Sequence, residues 1–270
     1  MTDPQPVPLS IKALSRLTPK TVVLDILSAA GGRSMPTPAL ATGGELMGFK
    51  PGAIRVAISR LAAQDLLHSP QRGEWKLTLH SPWAREQMRW QMQLDHDIDQ
   101  WKGHWWIAST ALVPRAQRSL WRQHERALLQ RGFREARRDI FLRPANLKNR
   151  FDELWSELSE LGMHENTVLA KASQISLAPK PALWGVQQRH RLLEDVYGQI
   201  KDLMKKTAPQ DKQSCRRFLQ LGRASIRALN TDPLLPQSLA GTSPRAQLVK
   251  LMPDFILAGR QCWFRHLGLE

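Results

Sequence analysis

Cysteine is nearly absent. Cys215 and Cys262 stand far apart in a chain of 270 residues. Two isolated thiols cannot make a disulfide framework or a cysteine zinc site, and they suit a reducing compartment. Long apolar runs are missing too: no eighteen consecutive apolar residues occur, so no membrane span is expected. The opening MTDPQPVPLS lacks the charged and apolar regions of a secretory signal. A cytoplasmic location is therefore expected. No fixed-period repeat or low-complexity tract is present. Nor is there a G-x-S-x-G, H-E-x-x-H or phosphate-loop pattern, so no enzyme, metal site or cofactor is expected.

Acidic residues are also scarce, 24 against 39 lysines and arginines, for a net charge of +15 and a pI near 10.6. So basic a chain usually meets a polyanion: nucleic acid, an acidic surface or a phosphate-rich ligand. The charge is uneven. Residues 1–90 carry 11 basic and 6 acidic groups, 91–178 carry 13 and 11, and 179–270 carry 15 and 7. Within 101–150 the count is 12 basic to 3 acidic. An apolar content of 42% permits a core in each of two or three domains.

The segment 18–78 reads as a winged helix-turn-helix. PKTVVLDILSAAGG (19–32) places Val22, Val23, Ile26 and Leu27 at helical spacing before a Gly pair. A shorter helix, PALATGGELMG (38–48), precedes the turn at Lys50-Pro51, and GAIRVAISRLAAQDLL (52–67) follows. LLHSPQRGEWKLTL (66–79) reads as two short strands around Gln71-Arg72-Gly73. In the third helix, Ile54, Ala57, Ile58 and Leu61 share one face. Gly52, Arg55, Val56, Ser59 and Arg60 share the other. Arginine can donate two bonds to guanine, serine can reach a base or phosphate, and valine can meet a thymine methyl. The DNA-binding candidates are Lys50, Arg55, Val56, Ser59 and Arg60, with Arg72 at the hairpin tip for a phosphate or the minor groove and Lys76 for a phosphate. The competing reading is an ordinary amphipathic helix with solvated arginines.

Farther on, 81–100 reads as a connecting helix and WKGHWWIASTALV (101–113) as a strand. Residues 115–132 and 147–163 read as helices, the second with Phe151, Leu154, Trp155, Leu158 and Leu161 inward. FREARRDIFLRPAN (133–146) reads as a strand or hairpin, and KASQISLA (171–178) as a weak strand. This order fits a ferredoxin-like domain if 133–146 holds two strands. From Pro181 the pattern is helical: 184–208, 211–230, a rigid DPLLP turn (232–236), and a last pair in 243–267 interrupted at Pro253. The expected class is α+β, mostly α. Its three domains would be a winged helix-turn-helix (1–90), a ferredoxin-like central domain (91–178) and a helical C-terminal domain (179–270).

Together, IRVAISRLAAQDLL (54–67), RGEWKLT (72–78), the W-x-G-x-W at Trp101, Gly103 and Trp105, RGFREARRDIFLRPAN (131–146) and DPLLP resemble the PaaX family almost end to end. These are transcriptional repressors of phenylacetate catabolism. The resemblance implies the same three domains and a homodimer on palindromic double-stranded operator DNA, with half-sites about one helical turn apart or a multiple of it. It also implies release by an aryl-acyl-CoA, phenylacetyl-CoA in the name-giving members. The family's central domain looks like the ferredoxin-like nuclease subunit of CRISPR adaptation, but metal-dependent cleavage needs a carboxylate near the first strand's end. Residues 104–113 hold none, and Pro114-Arg115 follow.

CoA carries phosphates, so its pocket should offer arginine or lysine. Arg134, Arg137, Arg138 and Arg143 form one candidate effector-binding cluster; Arg216 and Arg217 with Arg223 form another. The competing reading of either cluster is a solvated basic face or a second DNA-facing surface. Asp95, His96, Asp97 and Asp99 suggest a metal, but helical angles spread them apart, and a solvated helix end is the simpler reading. Two other functions stay open: a nuclease or acyl-CoA-acting enzyme built on the central domain, and a sequence-blind nucleic-acid scaffold.

Overall fold

The computed structural model describes residues 10–92, 101–148, 150–177, 179–205 and 211–269. The fold is α+β and mostly helical, with two small antiparallel sheets. In chain order the elements begin α1 (Ile11–Leu14), α2 (Pro19–Ala29), β1 (Met35–Pro36), α3 (Thr37–Leu46) and α4 (Pro51–Ala62). Next come β2 (Leu67–His68), β3 (Glu74–Leu77), α5 (Pro82–Met92), β4 (Trp105–Ser109) and α6 (Arg118–Gln130). Then β5 (Arg134–Arg137), β6 (Ile140–Pro144), α7 (Phe151–Glu160), β7 (Val168–Ala172) and a 3₁₀ turn at Pro181–Trp184. The chain ends with α8 (Val186–Lys205), α9 (Lys212–Asn230), α10 (Gln237–Ala240) and α11 (Arg245–Leu267). Among the described residues, no helix is long and apolar enough to cross a membrane.

The chain divides into two compact units, 1–92 with 191–230 and 244–270, and 93–190 with 231–243. This differs from three consecutive domains cut near 90 and 178. The reason is where the apolar faces go. Leu192, Val196, Phe218, Leu221, Leu248, Met252 and Trp263 belong to the same core as Val22, Leu24, Leu40 and Ile54. The C-terminal helices therefore have no separate interior.

In the first unit, α2 starts with a reciprocal cap. The Thr21 N–H donates to Thr18 Oγ1 (3.2 Å), and the Thr18 N–H donates to Thr21 Oγ1 (2.8 Å). Pro19 sits at the first helical turn, where a missing N–H costs nothing. The helix buries Val22, Val23, Leu24, Ile26 and Leu27. The sequence pattern misses α1 and the two-residue β1, which joins the outer side of β3 to complete a sheet ordered β1-β3-β2. The interruption expected at Pro253 is absent, and α11 runs through it. A mid-helix proline costs about 3 kcal/mol, but buried Leu248, Val249, Met252, Phe255, Cys262 and Trp263 hold the helix together from both sides. The α9 and α11 packing also brings the two cysteines together, with Sγ atoms 2.6 Å apart and both thiols free and buried. They are not isolated, as their sequence separation suggested.

In the second unit the order is β-α-β-β-α-β, with a sheet ordered β5-β6-β4-β7. The 133–146 segment is two strands, turned at Asp139 with φ 63°. The last strand is Val168–Ala172 rather than 171–178, paired Trp105↔Ala172 through Ser109↔Val168. It is a half-exposed edge, so its apolar pattern is weak. Strand alternation sends Trp106, Ala108 and Phe141 to the face covered by α6 and α7, where Leu128, Leu154 and Leu158 pack. Trp105 and Leu142 go to the opposite face, against Trp184, Val186 and Leu235. Both tryptophans are therefore core. The DPLLP turn serves this second face: Leu234 and Leu235 are buried, and Asn146 Nδ2 donates to the Leu234 carbonyl at 2.6 Å. Leu154 and Leu158 point inward as expected and Trp155 is half-buried, but Phe151 is 45% exposed, stacked on Trp155.

Candidate nucleic-acid interface

Helix α4 begins after Lys50, whose backbone is extended and whose side chain makes no cap. Pro51 occupies the first helical turn. Ile54, Ala57, Ile58 and Leu61 are buried against α2 and α3. Gly44 of α3 is the point of closest approach: a Cβ there would lie 2.2 Å from Ile54 Cγ1. The opposite face is open. Lys50, Gly52, Arg55, Ser59 and Arg60 are exposed, and Val56 keeps 51% of its surface in solvent. No acidic residue occurs anywhere in α4, so every charge on that face is positive. The Ser59 hydroxyl donates to the Arg55 carbonyl at 3.2 Å, which leaves its oxygen to accept rather than donate outward.

The hairpin β2–β3 is anchored to this helical group. The Thr37 N–H and Oγ1 both donate to the Gly73 carbonyl, at 2.9 and 3.0 Å. Trp75 Nε1 donates to Thr37 Oγ1 at 2.9 Å, and Ser34 Oγ donates to Glu74. Hydrogen bonds from Ser34 and then Gln71 hold the Glu74 carboxyl below its usual range. Gly73 turns the tip with φ +83°. Arg72 is exposed on that tip, while Lys76, opposite His68 in register, is half-buried. Lys50, Arg55, Val56, Ser59, Arg60, Arg72 and Lys76 thus lie on one helix face and its neighbouring hairpin. Sequence reading missed Ser34 and Thr37. Their contacts cross about forty residues of chain and have no periodic signal.

The arginine clusters fare differently. Arg134 is half-buried, and Nη1 donates to the Leu129 and Phe133 carbonyls at 3.1 and 2.6 Å. Burial and the neighbouring Arg189 and Arg143 push its pKa down. Arg143 is also buried and donates to the Pro144 and Arg131 carbonyls. Arg137 and Arg138 are exposed, Arg138 within 3.5 Å of Asp139. The four do not form one face. In the first unit, Arg216 donates through Nε to the Leu46 carbonyl at the end of α3. Arg217 is half-buried. Arg223 forms a two-pronged pair with Asp25 at 3.0–3.1 Å and donates to the Arg16 carbonyl. Arg223 is committed to the Asp25 ion pair, whereas Arg216 is exposed apart from its Nε hydrogen bond.

Among the described residues, no three His, Cys, Asp or Glu side chains gather as a metal group. Asp95, His96, Asp97 and Asp99 lie outside the described residues. Near the end of β4, two carboxylates that sequence reading overlooked do converge: Glu135 and Asp139, from the β5–β6 hairpin. Arg115 bridges both, at 2.9 and 2.6 Å, and stacks over Trp121 at 4.1 Å. Arg115 offsets one of the two charges there, and Arg138 lies 3.5 Å from Asp139.

No family model matches the chain, and no curated protein matches it. Among solved structures it is similar to the uncharacterized protein Rv0674 from Mycobacterium tuberculosis. The match has 21% sequence identity and a TM-score of 0.62, over 94% of this chain and all of that one. At this identity the likeness is one of fold.

Proposed function

We propose that this chain is a DNA-binding transcriptional repressor whose winged helix-turn-helix reads operator DNA with α4. The observation that carries the reading is the acid-free outer face of α4, with Arg55, Val56, Ser59 and Arg60 exposed beside the Arg72 hairpin tip. A face of this kind supplies bidentate donors, an apolar contact for a thymine methyl and phosphate contacts at the edge. The second unit, with its β-α-β-β-α-β order, is read as a ferredoxin-like scaffold rather than an enzyme. A homodimer would place two α4 helices on paired half-sites. By the resemblance to PaaX repressors, the regulated genes serve aromatic-acid catabolism in the cytoplasm, and an aryl-acyl-CoA such as phenylacetyl-CoA releases the operator.

The test is fluorescence anisotropy at physiological salt, with DNA from upstream of the protein's own gene neighbourhood. Tight, sequence-selective binding reversed by phenylacetyl-CoA, and not by free CoA, is the expected result. Sequence-blind binding with a steep salt slope would replace the repressor with a non-specific scaffold.

A further inference from the structure

The first unit contains a cavity of about 410 Å³, inside the roughly 300–1,000 Å³ range of small-molecule sites. Its walls come from α2, β1, β3, α5, α9 and α11, and Trp83, Trp90, Phe218, Phe255, Trp263 and Phe264 supply much of its lining. Protein interiors are close-packed, and an apolar void of this size loses the contacts its lining would otherwise make. Leu79 and Met88, 59% and 49% exposed, are part of the wall, so it reaches solvent through apolar side chains.

Three ionisable side chains line the cavity: Asp25, Arg223 and Arg260. The first two neutralise each other in their ion pair. Arg260 is left over. Its Nε donates to the Ala29 carbonyl at 2.7 Å, at the end of α2, while Nη1 and Nη2 make no hydrogen bond among the described residues. A planar guanidinium with unengaged Nη groups matches a carboxylate better than any neutral group. An apolar, aromatic chamber with one surplus positive charge selects an apolar body bearing one negative charge.

We propose that this cavity binds a small apolar monocarboxylate, with its body among the tryptophans and phenylalanines and its carboxylate on Arg260. The site is built within one unit, and of the arginines considered for CoA phosphates it shares Arg223, which is engaged by Asp25. If the DNA-reading proposal holds, the site is also an effector site, because α2 and β3 form its wall and carry α4 and the Arg72 hairpin.

Gly222 gives a clean test. It lines the cavity from α9, and a Cβ there would meet only Phe255 Cε1, at 3.6 Å. Gly222→Leu therefore fills the chamber without a clash at Cβ and replaces a poor helix former. Calorimetry on the full chain, without DNA, uses naphthalene-2-carboxylate, its carboxamide, decanoate and phenylacetyl-CoA. Saturable one-to-one binding of the carboxylates is expected, at least tenfold tighter than the carboxamide. Gly222→Leu should abolish it with the melting temperature unchanged or raised, and Arg260→Gln should erase the preference for acid over amide. No saturable carboxylate binding, binding that survives Gly222→Leu, or binding of the thioester alone would each overturn the site. A second titration reads operator DNA with bound carboxylate. A normal calorimetric result with unaltered DNA affinity removes the effector role only, and failure to bind DNA at all counts against the DNA-reading proposal and not against the cavity.

Discussion

Gly44→Ala tests the packing that aims α4. The new methyl would sit 2.2 Å from Ile54 Cγ1 and 2.5 Å from Cδ1, well inside contact distance. Ile54 is fully buried and β-branched, so it cannot swing aside freely. Overpacking costs about 1–3 kcal/mol, and so deep an overlap belongs at the upper end. Replacing glycine within a helix returns about 1 kcal/mol. A net loss of roughly 1–2 kcal/mol is expected from these two magnitudes. Ile54→Ala alone should cost about 2–5 kcal/mol through the cavity it leaves. In that background the next Ile54 atom, Cβ, lies 3.5 Å from the new methyl, an ordinary contact. Gly44→Ala should then stabilise by about 1 kcal/mol. The coupling, roughly 2–3 kcal/mol, far exceeds the ~0.3–0.5 kcal/mol scatter of independent sites. Hydrogen exchange of peptides spanning 19–62, in all four proteins, reads it as local stability. Equal cost of Gly44→Ala in both backgrounds would refute this account of the helix contact.

Arg55→Ala should weaken operator binding by about 1–3 kcal/mol and relax base preference at one position, measured by anisotropy on single-substitution operators. Equal loss on random DNA would make Arg55 a phosphate contact instead. The two units should respond oppositely to acid. Burial first, and then His164 and Arg115, push His124 down to about 4 from 6.5, so the unfolded chain takes this proton first. The second unit should lose up to ~3 kcal/mol as pH falls from about 6.5 to about 4, and His124→Gln should flatten that slope. Burial raises Asp25 to about 6 against the pull of Arg223, so the folded state is protonated first. The first unit should gain stability as pH falls from about 6 toward 3.8, an effect Asp25→Asn removes, with exchange mass spectrometry following each unit. Cys215 and Cys262 should resist thiol reagents until the first unit unfolds. Both are buried, and the adjacent Cys262 together with burial pushes the Cys215 thiol up. Rapid native-state labelling would contradict that.

Much of the candidate interface was legible in the chain because it is local. Ile54, Ala57, Ile58 and Leu61 recur at helical spacing, Pro51 marks the start of α4, and Arg-Gly marks the hairpin tip. Each depends on residues within one turn or hairpin of itself. What the chain could not disclose are the partnerships across long separations. Asp25 meets Arg223 across 198 positions and Arg216 caps α3 across 170. Arg134 and Arg143 look like surface charge in sequence but turn inward to carbonyls. The C-terminal helices read as a domain because their apolar faces are regular, yet periodicity says only that a face is buried, never against what. The cavity is the extreme case: six separate elements line it, and no one of them carries its pattern. Local spacing determined which surfaces exist; the assembled core decided which of them meet.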